Sequence, residues 1–222
     1  MAKKKTETPV DIMSAYMKYV LEHGERPKSI YLFAQNLGIK ETEFYEQYSS
    51  FGMIEKLIFK AFFDNTKALL DKNDEFQTFD AQNKLLSFYF TFFEVLKANR
   101  SYVVFTLENE RNKLKVLETL SELKKAFQGF IQEIGIETID LGQEKMEKFK
   151  NQRISDLAWA QLLFTIKFWL EDDSAGFEKT DVFIEKSITT GFALLDSSTI
   201  HKVFDLGKFL FKEKIKVNWW KQ

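Results

Sequence analysis

Residues 12–58 read IMSAYMKYVLEHGERPKSIYLFAQNLGIKETEFYEQYSSFGMIEKLI, and the punctuation of that stretch decides the fold. Ile12, Ala15, Tyr16, Tyr19 and Val20 recur at helical spacing until Gly24, a stop signal. Just upstream, Thr8-Pro9-Val10-Asp11 reads as the helix start, with Thr8 as N-cap, Pro9 in the first helical position and Asp11 completing a capping box. Ser29 caps a short second helix holding Ile30, Phe33, Ala34 and Leu37, which Gly38 ends. The pattern predicts a third short helix from Lys40 to Tyr48, with Phe44, Tyr45 and Tyr48 on one side. Ser49-Ser50 then opens a longer helix from about Gly52 to Leu70, whose apolar face carries Ile54, Leu57, Ile58, Ala61 and Phe62.

The rest of the chain continues in the same idiom. There are only two prolines and nine glycines in 222 residues, too few for the tight turns of a sandwich or barrel. Phe88, Phe90, Phe92 and Phe93 make one stretch apolar around most of a helix, which predicts burial on several sides. A segment near Tyr102 to Leu107 leads into a long amphipathic helix with Leu114, Leu117, Leu120, Leu123, Phe127 and Phe130. Gly135 to Gly142 reads as a loop. Two helices are then expected, about Glu144 to Glu171 and Thr180 to Leu195, separated by the turn Asp172-Asp173-Ser174-Ala175-Gly176. A last helix is expected over about Thr199 to Lys214, before the Trp219-Trp220 pair, for which docking on the body is the default. The expectation is an all-α chain of nine to ten helices.

Composition narrows the chemistry. No cysteine is present, which removes disulfides and thiolate metal sites and fits a reducing cytoplasm. Only His23 and His201 exist, far apart in sequence; His23 beside Gly24 suits a helix C-terminus, and His201 reads as solvated near the start of the last helix. No serine-nucleophile motif and no glycine-rich phosphate loop occur, so neither an enzyme nor a bound cofactor or metal is expected. No stretch is long and apolar enough to span a membrane, and no apolar segment follows Met1-Ala2-Lys3-Lys4-Lys5 as a secretory signal requires. The net charge of −1 means that any nucleic-acid binding must come from local placement of cations.

The stretch quoted above resembles the head of TetR-family regulators. The frame of that family is carried here by Ile12, Ala15, Gly24, Phe33-Ala34, Gly38, Tyr45 and Leu57, without gaps. Ala34 lets the two short helices approach closely, and Gly38 supplies the left-handed residue of the turn. FWLEDDSAGFEKTDVFIEKSI, residues 168–188, is similar to C-terminal domains of some bacterial members. The resemblance implies a helix-turn-helix head over residues 1–50, with residues 1–8 as a flexible basic tail, and a helical ligand-binding and dimerising body over residues 51–222.

It also implies three sets of site residues. For double-stranded DNA these are Lys28, Ser29, Lys40, Thr42, Tyr45 and Lys56. Charge opposes that reading: between Val10 and Lys60 six cations face seven acids, and Glu41, Glu43 and Glu46 stand in the helix that would enter the groove. Lys3, Lys4 and Lys5 are either a basic arm or a solvated tail. For a hydrophobic small molecule or lipid, the aromatic-rich body offers Phe88, Phe92, Phe105, Phe127, Trp159 and Phe164, each of which is equally readable as core. For a homodimer, Ile154, Leu157, Ala158, Gln161 and Leu162, with Ile184, Ile188 and Leu195, stand where relatives build a four-helix interface, and intrachain packing is the competing reading. Two functions compete: a ligand-responsive repressor, and a lipid- or isoprenoid-binding protein on the same scaffold that has lost DNA binding.

Overall fold

A computed structural model describes residues 11–110, 112–136 and 144–195, with side chains given from residue 151 onward in the last stretch. Among the described residues the regular structure is all helical, with eleven α-helices and one 3₁₀ turn. The helix start at Thr8 and Pro9, the tail over residues 1–8, most of the loop at 135–142, His201, the last helix over 199–214 and the Trp219-Trp220 pair lie outside the described residues.

The first four helices are α1 (Ile12–His23), α2 (Ile30–Asn36), α3 (Glu41–Gln47) and α4 (Phe51–Leu70). Their ends follow the sequence punctuation, with one correction. Asp11 is itself the N-cap of α1, its carboxylate accepting from the Ser14 N–H at 3.1 Å and the Ser14 hydroxyl at 2.6 Å. The Ser14 hydrogen bonds hold that carboxyl below its usual range. Gly24 closes α1 in the left-handed region (φ 67°), which costs a glycine no Cβ clash. Ser29 and Ser50 cap α2 and α4, each hydroxyl accepting at 3.2 Å from the N–H three residues on, from Leu32 and Met53 respectively. Gly38 (φ 71°) makes the turn from α2 to α3.

The remaining helices are α5 (Asp74–Thr78), α6 (Ala81–Ala98), α7 (Arg100–Leu107), α8 (Lys113–Thr119), α9 (Ser121–Glu133), α10 (Glu144–Glu171) and α11 (Glu178–Leu195). Two of these raise the number above the nine or ten expected. The single long helix predicted through Leu114 to Phe130 is broken at Leu120, whose backbone (ψ 5°) ends α8 before α9 begins. The short α5 carries one buried anchor, Phe76. No described helix is long and apolar enough to cross a membrane.

The chain divides into two compact units: residues 1–74 with 90–130, and residues 75–89 with 131–222. In unit 1, Phe51 lies among Tyr16, Phe33 and Phe44, with ring centroids 5.4, 5.5 and 5.6 Å away. Ile12, Tyr16, Val20, Phe33, Phe44, Ile54 and Ile58 are buried there, so α1 to α4 share one aromatic core. Phe59, Phe62, Tyr102, Leu123 and Phe127 extend the core of this unit. In unit 2, Leu85, Phe88, Tyr89, Leu162, Ile166, Trp169, Ile184 and Ile188 are buried, and α10 packs against α11. The corner between those helices is tight: Gly176 (φ 67°) and Phe177 (φ 68°) are both left-handed, and the Phe177 ring lies 5.7 Å from Trp169.

Candidate functional site

The short third helix is built to begin where it does. The Lys40 N–H donates to the Glu43 carboxylate at 3.2 Å, and Glu41 and Glu43 lie in the first turn, where the helix dipole favours negative charge. Two of the three acids on α3 therefore have a local structural reason. Thr42, Tyr45 and Glu46 are exposed, as are Lys28 and Lys40, whereas Ser29 is half-buried with its hydroxyl committed to the α2 cap. His23 is the last residue of α1, stacked 4.0 Å from the Tyr19 ring, its Nδ1 2.9 Å from the Tyr19 carbonyl oxygen.

Beneath this surface lies an ionic cluster that spacing gave no sign of. Glu55 of α4 is buried and accepts from Arg26 Nε at 2.7 Å and Nη2 at 3.0 Å, a two-pronged pair, and from the Tyr16 hydroxyl at 2.6 Å. Arg26 also lies 4.0 Å from Glu110, itself 3.1 Å from Lys115. The hydrogen bonds to Glu55 push the guanidinium upward, and burial together with the adjacent carboxylate pushes the Tyr16 phenol upward. The two groups stay cation and neutral hydroxyl. Lys56, assigned to DNA on the resemblance, instead donates to Glu118 of α8 at 2.7 Å, and this bond lowers the Glu118 carboxyl. With Arg26 spent in the interior, residues 11–50 offer three lysines (Lys18, Lys28, Lys40) against six carboxylates (Asp11, Glu22, Glu25, Glu41, Glu43, Glu46). Over residues 10–60 the Arg26–Glu55 pair removes one charge of each sign, so the excess of one acid stands.

The six aromatic residues assigned to a ligand fall in both units. Phe92, Phe105 and Phe127 belong to unit 1, and Phe88, Trp159 and Phe164 to unit 2. Phe88, Phe92 and Phe127 are core, Trp159 is buried and Phe105 half-buried. Phe164 is 68 % exposed, on the outer face of α10, so it faces away from the interior. Unit 2 does contain a concavity, of about 270 Å³, between α10 and α11. Its described lining is Leu85, Ile136, Ile154, Leu157, Ala158, Gln161, Ser187, Ile188, Gly191, Phe192, Leu194 and Leu195, without a charged side chain and without any of those six. Two small residues, Ala158 of α10 and Gly191 of α11, are among those that line it.

One polar relay crosses the groove wall. Tyr89 donates its hydroxyl proton to the Gln161 side-chain oxygen, and the Gln161 amide donates to Ser187 at 2.9 Å and Thr165 at 3.2 Å. Burial pushes the Tyr89 phenol well up. Six of the eight residues assigned to a dimer interface line this groove: Ile154, Leu157, Ala158, Gln161, Ile188 and Leu195. Leu162 and Ile184, the other two, have no exposed surface in the single chain and pack within their own unit. The apolar surface α10 leaves in solvent is a stripe at helical spacing, Leu157 (67 % exposed), Phe164 and Phe168.

Comparison with known proteins adds one match. Residues 84–210, more than half of the chain, match the family model described as tetracyclin repressor-like, C-terminal domain. No curated protein matches the chain. The all-helical architecture and that match, together, place the chain in the tetracyclin repressor-like family.

Proposed function

We propose that the chain is a TetR-like transcriptional repressor that binds double-stranded DNA as a homodimer and responds to a hydrophobic small molecule. The observation that carries this reading is the compact α1–α3 arrangement, with the left-handed Gly38 between α2 and α3 and with Thr42 and Tyr45 exposed on α3, in a chain of this family. In this reading residues 1–50 form a helix-turn-helix head and residues 51–222 the ligand-binding and dimerising body. Lys28, Ser29 and Lys40 meet phosphates, and Thr42 and Tyr45 face base edges. Lys3, Lys4 and Lys5 supply charge that the acidic head lacks. The exposed stripe Leu157, Phe164 and Phe168 buries against its symmetry mate, isologous contact being the usual way to cover such a face. The protein works in the cytoplasm, without catalysis or cofactor.

A salt titration on DNA selected from a random pool tests this function. The affinity for the selected sequence is expected to fall steeply with salt, and Lys28→Ala and Lys40→Ala each reduce the log–log slope by about 1. Failure to form a specific complex even at low salt sinks the repressor. The excess of carboxylates over lysines on the head favours a second reading in that event: a lipid- or isoprenoid-binding protein on the same scaffold, which mass spectrometry detects as a co-purifying apolar ligand.

A further inference from the structure

The groove between α10 and α11 does not end at its apolar lining. Ile136 and Ile154 also border a second, smaller hollow of about 70 Å³, whose other described lining residues are Ile131, Gln132, Gly135, Asn151 and Ser155. The larger space is apolar and the smaller one about half polar. Ser155 is wholly buried, and its hydroxyl has no hydrogen-bond partner among the described residues. A buried hydroxyl without a partner costs free energy, so it marks a place where a donor or acceptor is expected from elsewhere. The polar side chains that line the larger groove, Gln161 and Ser187, are already bonded to each other, and Gln161 also to Tyr89 and Thr165.

We propose that the two spaces form one binding site for an amphiphile with an uncharged head, its apolar body lying in the groove and its hydroxyl or carbonyl seated on Ser155. The proposal deepens the ligand-response reading above and rests on it, but not on DNA binding. Charge is what the site selects against. The head space offers amide and hydroxyl groups, and no charged side chain lines either hollow among the described residues. A carboxylate or ammonium entering it sheds water without a counter-charge, which is far more costly than moving a hydroxyl that gains one hydrogen bond. The body of the ligand is held by burial of apolar surface alone and is correspondingly tolerant of shape.

Calorimetric titration of the full chain with 1-decanol and with decanoate tests the site, using two variants. At Gly191 an added Cβ meets nothing within 4 Å, so Gly191→Leu fills the groove while a helix interior favours Leu over Gly. Ser155→Ala removes the seat and leaves the groove open. The expected result is that wild type binds decanol at least tenfold more tightly than decanoate. Ser155→Ala is expected to lower decanol affinity about fivefold, the worth of one neutral hydrogen bond, with decanoate unchanged. Gly191→Leu is expected to abolish uptake of decanol with an unaltered melting temperature and an unaltered sedimentation profile. Equal binding of decanol by wild type and Gly191→Leu, equal binding by wild type and Ser155→Ala, or decanoate matching decanol would each overturn the proposal. So would dissociation of a wild-type dimer by Gly191→Leu, which makes the groove a contact between copies. A co-purified apolar ligand retained by both variants removes this site and leaves the wider ligand reading standing. Absence of any co-purified ligand, with no uptake of either probe, removes both.

Discussion

Glu55 in unit 1 and Asp172 in unit 2 are both carboxylates withdrawn from water, and their oxygens are satisfied by different means. Glu55 faces a cation, the guanidinium of Arg26, with the Tyr16 hydroxyl as a third donor. Asp172 has no cation in direct contact among the described residues. Its two oxygens accept from the Ser174 N–H and hydroxyl at 2.9 and 2.6 Å, and from the Thr180 N–H and hydroxyl at 2.9 and 2.7 Å. Burial pushes the Asp172 carboxyl up, but those four bonds outweigh it and hold the group well below the usual carboxylate range. A charge met by a charge depends on two long side chains far apart in sequence. A charge met by local dipoles depends on nine consecutive residues, 172–180, and doubles as a cap for α11.

The comparison is broken most severely at Arg26. Arg26→Met leaves Glu55 buried at 4 % side-chain exposure with only a phenol to answer it, and a loss of about 3–5 kcal/mol is expected in urea denaturation. Adding Glu55→Leu is expected to recover most of that loss, with the Tyr16 hydroxyl as the remaining orphan. Asp172→Ala is the corresponding lesion in unit 2. It strands two backbone N–H groups and two hydroxyls, and about 2–4 kcal/mol is expected by the same assay.

Acid sharpens the contrast further. Because folding lowers the Asp172 pKa, its contribution is full above the unfolded-state value near 3.9 and is lost as pH falls towards the folded value. The stability gap between wild type and Asp172→Ala is therefore expected to be flat from about pH 7 to pH 5 and to shrink steadily below about pH 4. A gap that instead widened on acidification would contradict the four-bond account. The smallest effect belongs to the surface: Lys56→Gln is expected to cost less than about 1 kcal/mol, since Glu118 opposite it is exposed. If Lys56→Gln also leaves operator affinity and its salt slope unchanged, the Glu118 contact and not phosphate accounts for this lysine.

What could be read from the sequence was local. Gly24, Ser29, Gly38 and Ser50 terminate or cap helices through groups within four residues, and each sits in the structure where its type demands. The span of α10, Glu144–Glu171, was legible because neither Gly nor Pro interrupts it before the turn at Asp172 to Gly176. The break at Leu120 was not, because neither Gly nor Pro marks it and the apolar spacing continues across it. The Lys56–Glu118 bond was equally hidden, because the partners lie 62 residues apart and no pattern in one helix reports that. Leu162 and Ile184 show the same limit: periodicity finds the apolar face and is silent on what covers it. Ser155 carried no signal at all, since a small hydroxyl inside a helix is unremarkable until its surroundings are known.

The corner at Gly176 and Phe177 has a mechanical consequence. It joins α10 and α11 at one end, whereas Ala158 and Gly191, which both line the groove, lie well along the two rods, Ala158 about 20 Å from the corner at 1.5 Å per residue. Over such a lever arm, a pivot of only a few degrees opens or shuts the far ends by roughly 1 Å. Phe177, a bulky residue in a left-handed conformation pinned by the Trp169 ring, makes that pivot stiff. Any widening of the gap between α10 and α11 at this corner is therefore expected to disturb the Phe177–Trp169 contact.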